Sequence, residues 1–305
     1  MTIDFSREAL YAHADRIRVH PGFAAAKARH SHVGLDVVDG KPVAAKLTCQ
    51  ISRYATLLMI LCHHDLAETG EAPGGVTSST VLAALGRTPF ASRSWAKLMV
   101  RVYHRAGMIE YDPPGPDRRS RPFRPTPALM QLGQQAIQIF FEALAHVDAL
   151  PGDAAELAQR PGVMTGMARA LVDIYFKHRF TMIEPSPEIG ALLKRDFGYL
   201  IFGHLVQTMQ TDAAGVTYAS VPMGDMSKRF GVSRASVRNI LELAERLGFV
   251  VPVSKGGHVL VCTPRFVALI DYWMAVDLAW FNHLLTTALA RIELGAAADR
   301  RLAAV

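Results

Sequence analysis

One pattern occurs twice in this chain. From Gly231 the sequence runs through Ser233-Arg234 and Gly248 to Thr263-Pro264; from Gly86 it runs through Ser92-Arg93 and Gly107 to Thr126-Pro127. The serine and the second glycine are fifteen residues apart in both copies (92 to 107, 233 to 248), while the earlier copy carries four extra residues between its first glycine and its Ser-Arg pair. Similarity on this scale points to duplicated domains rather than a short-period solenoid. The 305 residues are length enough for two domains, each with a core of its own.

Each copy predicts the same elements. In the second, Met226 and Phe230 place apolar residues four apart on a short helix that Gly231 ends, and Ser233 is a good N-cap for the next. Val237, Ile240, Leu241 and Ala244 then form one apolar stripe, leaving Arg234, Arg238 and Asn239 off it. Gly248 closes that helix. Phe249–Val253 and His258–Cys262 read as strands joined by Ser254-Lys255-Gly256-Gly257, a hairpin signal. The first copy repeats this with Val81, Leu82 and Leu85 on the short helix and Ala96, Met99, Val100 and Tyr103 on the long one. Its hairpin tip, Pro113 to Pro125, is longer and holds four arginines.

Apolar-striped helices flank both copies. Tyr54, Leu57, Leu58 and Leu61 precede the first, and Phe197, Leu200, Ile201 and Leu205 precede the second. Leu129, Leu132, Ala136, Phe140 and Leu144 follow the first, as Phe266, Leu269, Trp273, Val276 and Trp280 follow the second. Trp273, Trp280 and Tyr272 read as packing. Residues 1–45 suggest a helix from Ser6 to Arg18 and a connecting arm. Pro151–Arg160 reads as a link, followed by a helix near Met164 to Lys177 and a break at Pro185-Ser186-Pro187. The expected units are an N-terminal helical arm (1–49), a first domain (50–150), a helical linker (151–193) and a second domain (194–305), in a fold that is mainly α with small β-hairpin wings.

Charge follows the duplication. The net charge is +6, and Arg87 to Arg124 alone holds nine bases against Glu110, Asp112 and Asp117. Met226 to His258 holds six bases against Glu242 and Glu245. A basic balance favours polyanionic partners. Cys49, Cys62 and Cys262 lie far apart with no CxxC, which argues against a disulfide framework or a cysteine zinc site and suits a reducing, cytoplasmic setting. The start, MTIDFSREAL, lacks the basic and apolar regions of a signal peptide. The longest apolar run, Tyr54 to Cys62, is nine residues where about twenty span a bilayer, so no membrane partner is expected.

Helix, turn, polar-faced helix and basic hairpin together resemble a winged helix-turn-helix. More narrowly, both copies resemble the MarR family of bacterial transcription regulators. The residues that carry the likeness are Asp117-Arg118-Arg119 at the first wing tip with Pro125-Thr126-Pro127-Ala128 after it, and in the second copy Gly231-Val232-Ser233-Arg234, Arg246-Leu247-Gly248-Phe249 and Thr263-Pro264. The likeness covers about Gln50 to Val147 and Lys194 to Ile292. It implies two winged helix-turn-helix repeats packed through long helices as a single-chain pseudo-dimer. The implied function is a transcriptional regulator that binds double-stranded DNA sequence-specifically, open to a small-molecule effector and to homo-oligomerisation. Two departures stand out: both copies share one chain, and the second wing lacks Asp-Arg-Arg, having only Lys255 and His258.

A recognition helix must pack one face on its own domain and present donors on the other. Ser92, Arg93, Ser94 and Lys97 meet that demand in the first copy, with Arg118, Arg119, Arg121 and Arg124 on its wing. Ser233, Arg234, Ser236, Arg238 and Asn239 meet it in the second, with Lys255 on the wing. Arginine bridges guanine O6 and N7, and Asn239 suits adenine; the two serines fit caps or phosphate contacts. Arg101 and Arg105 read as surface solubility. An enzyme is not expected. His63-His64-Asp65 is the only local histidine cluster, at a helix end without HExxH, and no G-x-S-x-G or phosphate-cradling loop occurs. No catalytic residue, cofactor or metal is therefore expected. The alternative is a winged-helix scaffold or replication-origin binder in which only one repeat contacts DNA.

Overall fold

The computed structural model describes residues 4–72, 74–113, 121–253 and 258–302. It is mainly helical, with two small antiparallel sheets. Helix α1 (Arg7–Val19) starts where Ser6 predicts, its hydroxyl accepting the Ala9 amide at 3.3 Å. The stretch read as a connecting arm is itself helical: α2 (Phe23–His30), α3 (Val33–Val38) and α4 (Pro42–Thr48). These pieces are short and their apolar residues too few for a periodic signal, so tertiary packing decides them.

The first segment follows as α5 (Ile51–Glu68), α6 (Ser78–Leu85), α7 (Arg93–Arg105), β1 (Ile109–Tyr111), β2 (Phe123–Pro125) and α8 (Pro127–Leu144). Next come α9 (Ala154–Gln159), capped by Asp153, α10 (Val163–His178) and α11 (Pro187–Leu193), which Pro187 opens at a position where its missing N–H costs nothing. The second segment runs α12 (Gly198–Gln207), β3 (Gln210–Thr211), β4 (Thr217–Ser220), α13 (Met223–Phe230), α14 (Arg234–Arg246), β5 (Val250–Pro252), β6 (Val259–Cys262) and α15 (Pro264–Leu302).

From the short helix onward (α6 and α13) the element order is the same in both segments, and it is closed by the same hydrogen bonds. Thr126 Oγ1 donates to the Gly107 carbonyl at 2.6 Å, and Thr263 Oγ1 donates to that of Gly248 at 2.9 Å. The amides of Thr126 and Thr263 donate to the carbonyls of Met108 and Phe249. Gly107 and Gly248 both adopt left-handed backbone, φ 70° and 69°, to turn the helix into the hairpin. The sheets differ. In the first, β1 pairs with β2 and Val76 adds only an isolated bridge to Phe123; in the second, the order is β3-β4-β6-β5. The strands β3 and β4 went unread because two to four residues give no measurable alternation.

Most of the protein is held by three long helices: α10 packs against both α5 and α15, and α1 lies along α15. Phe5, Phe180 and Trp280 form one aromatic cluster there, with Phe180 4.9 Å from Trp280 and 5.1 Å from Phe5 between ring centres. Trp273 Nε1–H donates to the Met182 carbonyl at 2.9 Å. A second core fills the first segment around Val81, Leu85, Ala96, Val100, Tyr103 and Phe123. Asp65, from the histidine cluster, is buried and accepts from Thr165 Oγ1 at 2.9 Å, beside the Arg169–Glu71 pair. Its partners tie α5 to α10.

The turn at Gly248 tests this closure. A Cβ there finds space, with Arg265 Nη1 at 3.9 Å, so the cost of Gly248→Ala lies in the left-handed backbone and should be about 1–2 kcal/mol. Gly295, inside α15 with nothing near its added Cβ, should instead gain about 0.5–1 kcal/mol as alanine. Urea midpoints at unchanged slope measure both.

Candidate nucleic-acid interface

Helix α7 buries Ala96, Met99, Val100 and Tyr103 against its own segment. Tyr103 is anchored at both ends of its reach, its hydroxyl donating to the carbonyls of Arg53 at 2.9 Å and Leu47 at 3.2 Å. With that stripe fixed, the rest of the helix faces outward. Arg93, Ser94, Lys97, Arg101 and Arg105 are exposed. None of these four cations joins an ion pair among the described residues. Arg101 and Arg105 extend the same basic face one and two turns beyond Lys97.

Helix α14 repeats the arrangement. Val237, Ile240 and Ala244 are buried, and Arg234, Arg238 and Asn239 are exposed without an ionic partner among the described residues. Its outward face also carries exposed Glu242 and Glu245, which α7 lacks. Ser92 and Ser233 act as the predicted N-caps, accepting the amides of Trp95 at 3.2 Å and Ser236 at 3.0 Å. Ser236 is half-buried and its hydroxyl lies 2.9 Å from that of Ser233, so it belongs to the cap as much as to the surface. Gly224 of α13 enters the site unannounced by the sequence. Arg234 reaches back over it, and a Cβ at 224 would stand 3.4 Å from the guanidinium. The two short helices end differently, Gly231 in left-handed backbone (φ 65°) and Gly86 in right-handed (φ −61°). The four extra residues after Gly86 make a sharp reversal there unnecessary.

The hairpins depart further from expectation. Arg124 is not a free wing cation. Its Nε donates to Glu110 at 2.9 Å and its Nη1 to Asp112 at 3.3 Å, so it is paired within its own hairpin while its side chain stays exposed. The hydrogen bond to Glu110, then that carboxylate's charge, raises its pKa further. The cause is register: Glu110 stands directly opposite Arg124 on the paired strand, a juxtaposition invisible until the hairpin's pairing is known. Arg121 is exposed and rests over the Tyr111 ring, 4.6 Å from its centre. Arg118, Arg119 and Lys255 lie outside the described residues. The described part of the second hairpin is apolar, with Val251, Val253 and Val259 exposed.

Among the described residues no group of three His, Cys, Asp or Glu side chains is placed to hold a metal ion, and no helix is long and apolar enough to cross a membrane. Cys49, Cys62 and Cys262 are buried free thiols, each with its pKa raised chiefly by burial. Comparison with family models, with curated proteins and with solved structures returns no match.

Behind α14, the ring of His204 stands edge-on to Phe230, 6.2 Å between centres, and among the described residues neither ring nitrogen has a partner at hydrogen-bond geometry. Burial, then the Arg229 charge, lowers its pKa below the ordinary 6.5. A depressed histidine pKa means the unfolded chain binds the proton more readily, so stability is full above about pH 6.5 and declines as pH falls below it. His204→Phe should flatten part of this decline between pH 7 and 5, read as thermal midpoint against pH.

Proposed function

We propose that this chain is a sequence-specific double-stranded DNA-binding transcriptional regulator, with α7 and α14 as recognition helices of two winged helix-turn-helix units. The observation that supports it best is positional. Both helices begin at a serine cap followed at once by an exposed, unpaired arginine, with a second exposed base four residues on: Lys97 in one, Arg238 in the other. A bidentate arginine–guanine contact contributes about 1–3 kcal/mol of discrimination. Arg121, and beyond the described residues Arg118 and Arg119, suits the flanking backbone or minor groove.

A second reading has an observation in its favour. The face of α14 mixes bases with Glu242 and Glu245, and its hairpin presents valines. In that reading only the first unit grips DNA, and the second serves as a scaffold for protein or at a replication origin.

The two helices also differ in what they offer, Trp95, Lys97 and Leu98 in one against Ser236, Arg238 and Asn239 in the other. Two unlike reading heads in one chain should select an asymmetric site, its halves about one helical turn apart. Selection from a random duplex pool with the full chain tests this, alongside Arg93→Ala and Arg234→Ala. Both variants should bind about 5- to 100-fold more weakly and relax preference in different half-sites. Arg121→Ala should lower the slope of log affinity against log salt by about 0.9 for one lost phosphate contact. A strict palindrome sinks the single-chain pair of heads, and loss confined to Arg93→Ala supports the one-headed reading.

A further inference from the structure

A cavity of about 340 Å³ lies where α3, α5, α8, α10 and α15 meet, with Tyr199 of α12 at its wall. Native cores close most voids larger than a water molecule, whereas small-molecule sites start near 300 Å³. The walls are chiefly apolar, with Leu58, Leu132, Ala136 and Phe281 among them; Trp273 and Trp280, read from the sequence as packing, line it too. Gly34 makes room for one wall: a Cβ there would come within 2.4 Å of the Tyr199 ring.

Against these walls stands one charged group. Asp277 is 4% exposed, and its Oδ2 lies 2.7 Å from His30 Nε2. His30 is also buried, and its Nδ1 has no partner. The other carboxylate oxygen of Asp277, Oδ1, accepts no hydrogen bond among the described residues. Among the described residues no lysine or arginine lines the cavity. A buried carboxylate without a cation is unfavourable and is strongly stabilised by one.

Two tyrosines complete the polar end. The Tyr54 and Tyr199 hydroxyls make no hydrogen bond among the described residues, and both rings line the cavity. Tyr54 is 44% exposed, and burial, then the Asp277 charge, pushes its pKa up to about 12. The Asp277 charge raises the pKa of both hydroxyls, second only to burial, so all three groups share one electrostatic neighbourhood.

We propose that this cavity binds a small, largely apolar molecule carrying one protonated amine, the ammonium paired with Asp277 and flanked by the rings of Tyr54 and Tyr199. Aromatic faces attract a cation, and the carboxylate supplies a charge-assisted hydrogen bond. The inference does not depend on DNA binding. It rests on the cavity, the buried carboxylate with one oxygen unpaired, and the idle hydroxyls.

The full chain with the fluorescent probe 1-aminoanthracene tests it. The probe should bind and brighten, and n-decylamine should displace it at about tenfold lower concentration than 1-decanol at pH 7, with decanoate weakest. Asp277→Asn keeps an acceptor for His30 while removing the charge, so it should bring decylamine and decanol level without loss of probe binding. Leu58→Trp, which fills the cavity, should abolish probe binding. Equal potency of amine and alcohol on the unaltered protein, or an amine preference that survives Asp277→Asn, overturns the proposal. So does probe binding to folded Leu58→Trp. If either variant fails to fold, the competitor series on the unaltered chain still decides.

Discussion

A helix that must bury a stripe has no choice about its other side. Once Ala96, Met99, Val100 and Tyr103 are locked into the first core, and Val237, Ile240 and Ala244 into the second, every base between them is directed to the surface. Tyr103 shows how firmly. Its ring is fully buried and its hydroxyl is held by two backbone carbonyls, so rotating α7 by one residue would strand a buried donor. The exposure of Arg93 and Lys97 is thus a consequence of packing. The same holds for Arg234 and Arg238, backed by Met226 and Phe230 of α13. The DNA-binding proposal needs this orientation, and no single arginine would support it alone.

The two segments share a backbone plan and differ in chemistry. Closure through Thr126 and Thr263 is common to both, but the first sheet is a short hairpin with one bridge and the second has four strands. The first hairpin uses its own acids to hold Arg124, whereas the second presents valines. Equal grip on a polyanion from both segments does not follow from equal architecture. Whatever differs in function between them arises on α7, α14 and the hairpins, because the closing turns are alike.

How much of this was legible in the residues depends on how local each signal is. The caps at Ser92 and Ser233, the stripes of α7, α8 and α14, and the turns at Gly107 and Gly248 are set within a few residues and read directly. The helices α2 to α4 and the strands β3 and β4 are too short to carry a period. The ion pairs of Arg124 are not legible in the sequence, because Asp112 and Glu110 lie twelve and fourteen positions back, across a pairing register the sequence does not state. The cavity was harder still. Tyr54, Tyr199 and Asp277 are distant in the chain, and nothing in their local sequence says they meet.

That meeting is arranged by α15. This helix carries the stripe that closes the second segment at Phe266, then continues past Trp273 and Asp277 to Trp280, where Phe5 and Phe180 cover it. Three turns of one rigid rod thus connect the hairpin of the second segment to the cavity, while α5 and α8, which bracket the first segment, form the facing walls. A side chain or ligand that changes the spacing of those walls acts on elements belonging to both segments at once. Packed helices respond to such a change as rigid bodies rather than by local deformation. The walls of the cavity therefore come from elements of both segments, and Asp277 is the one charged side chain among its described lining residues.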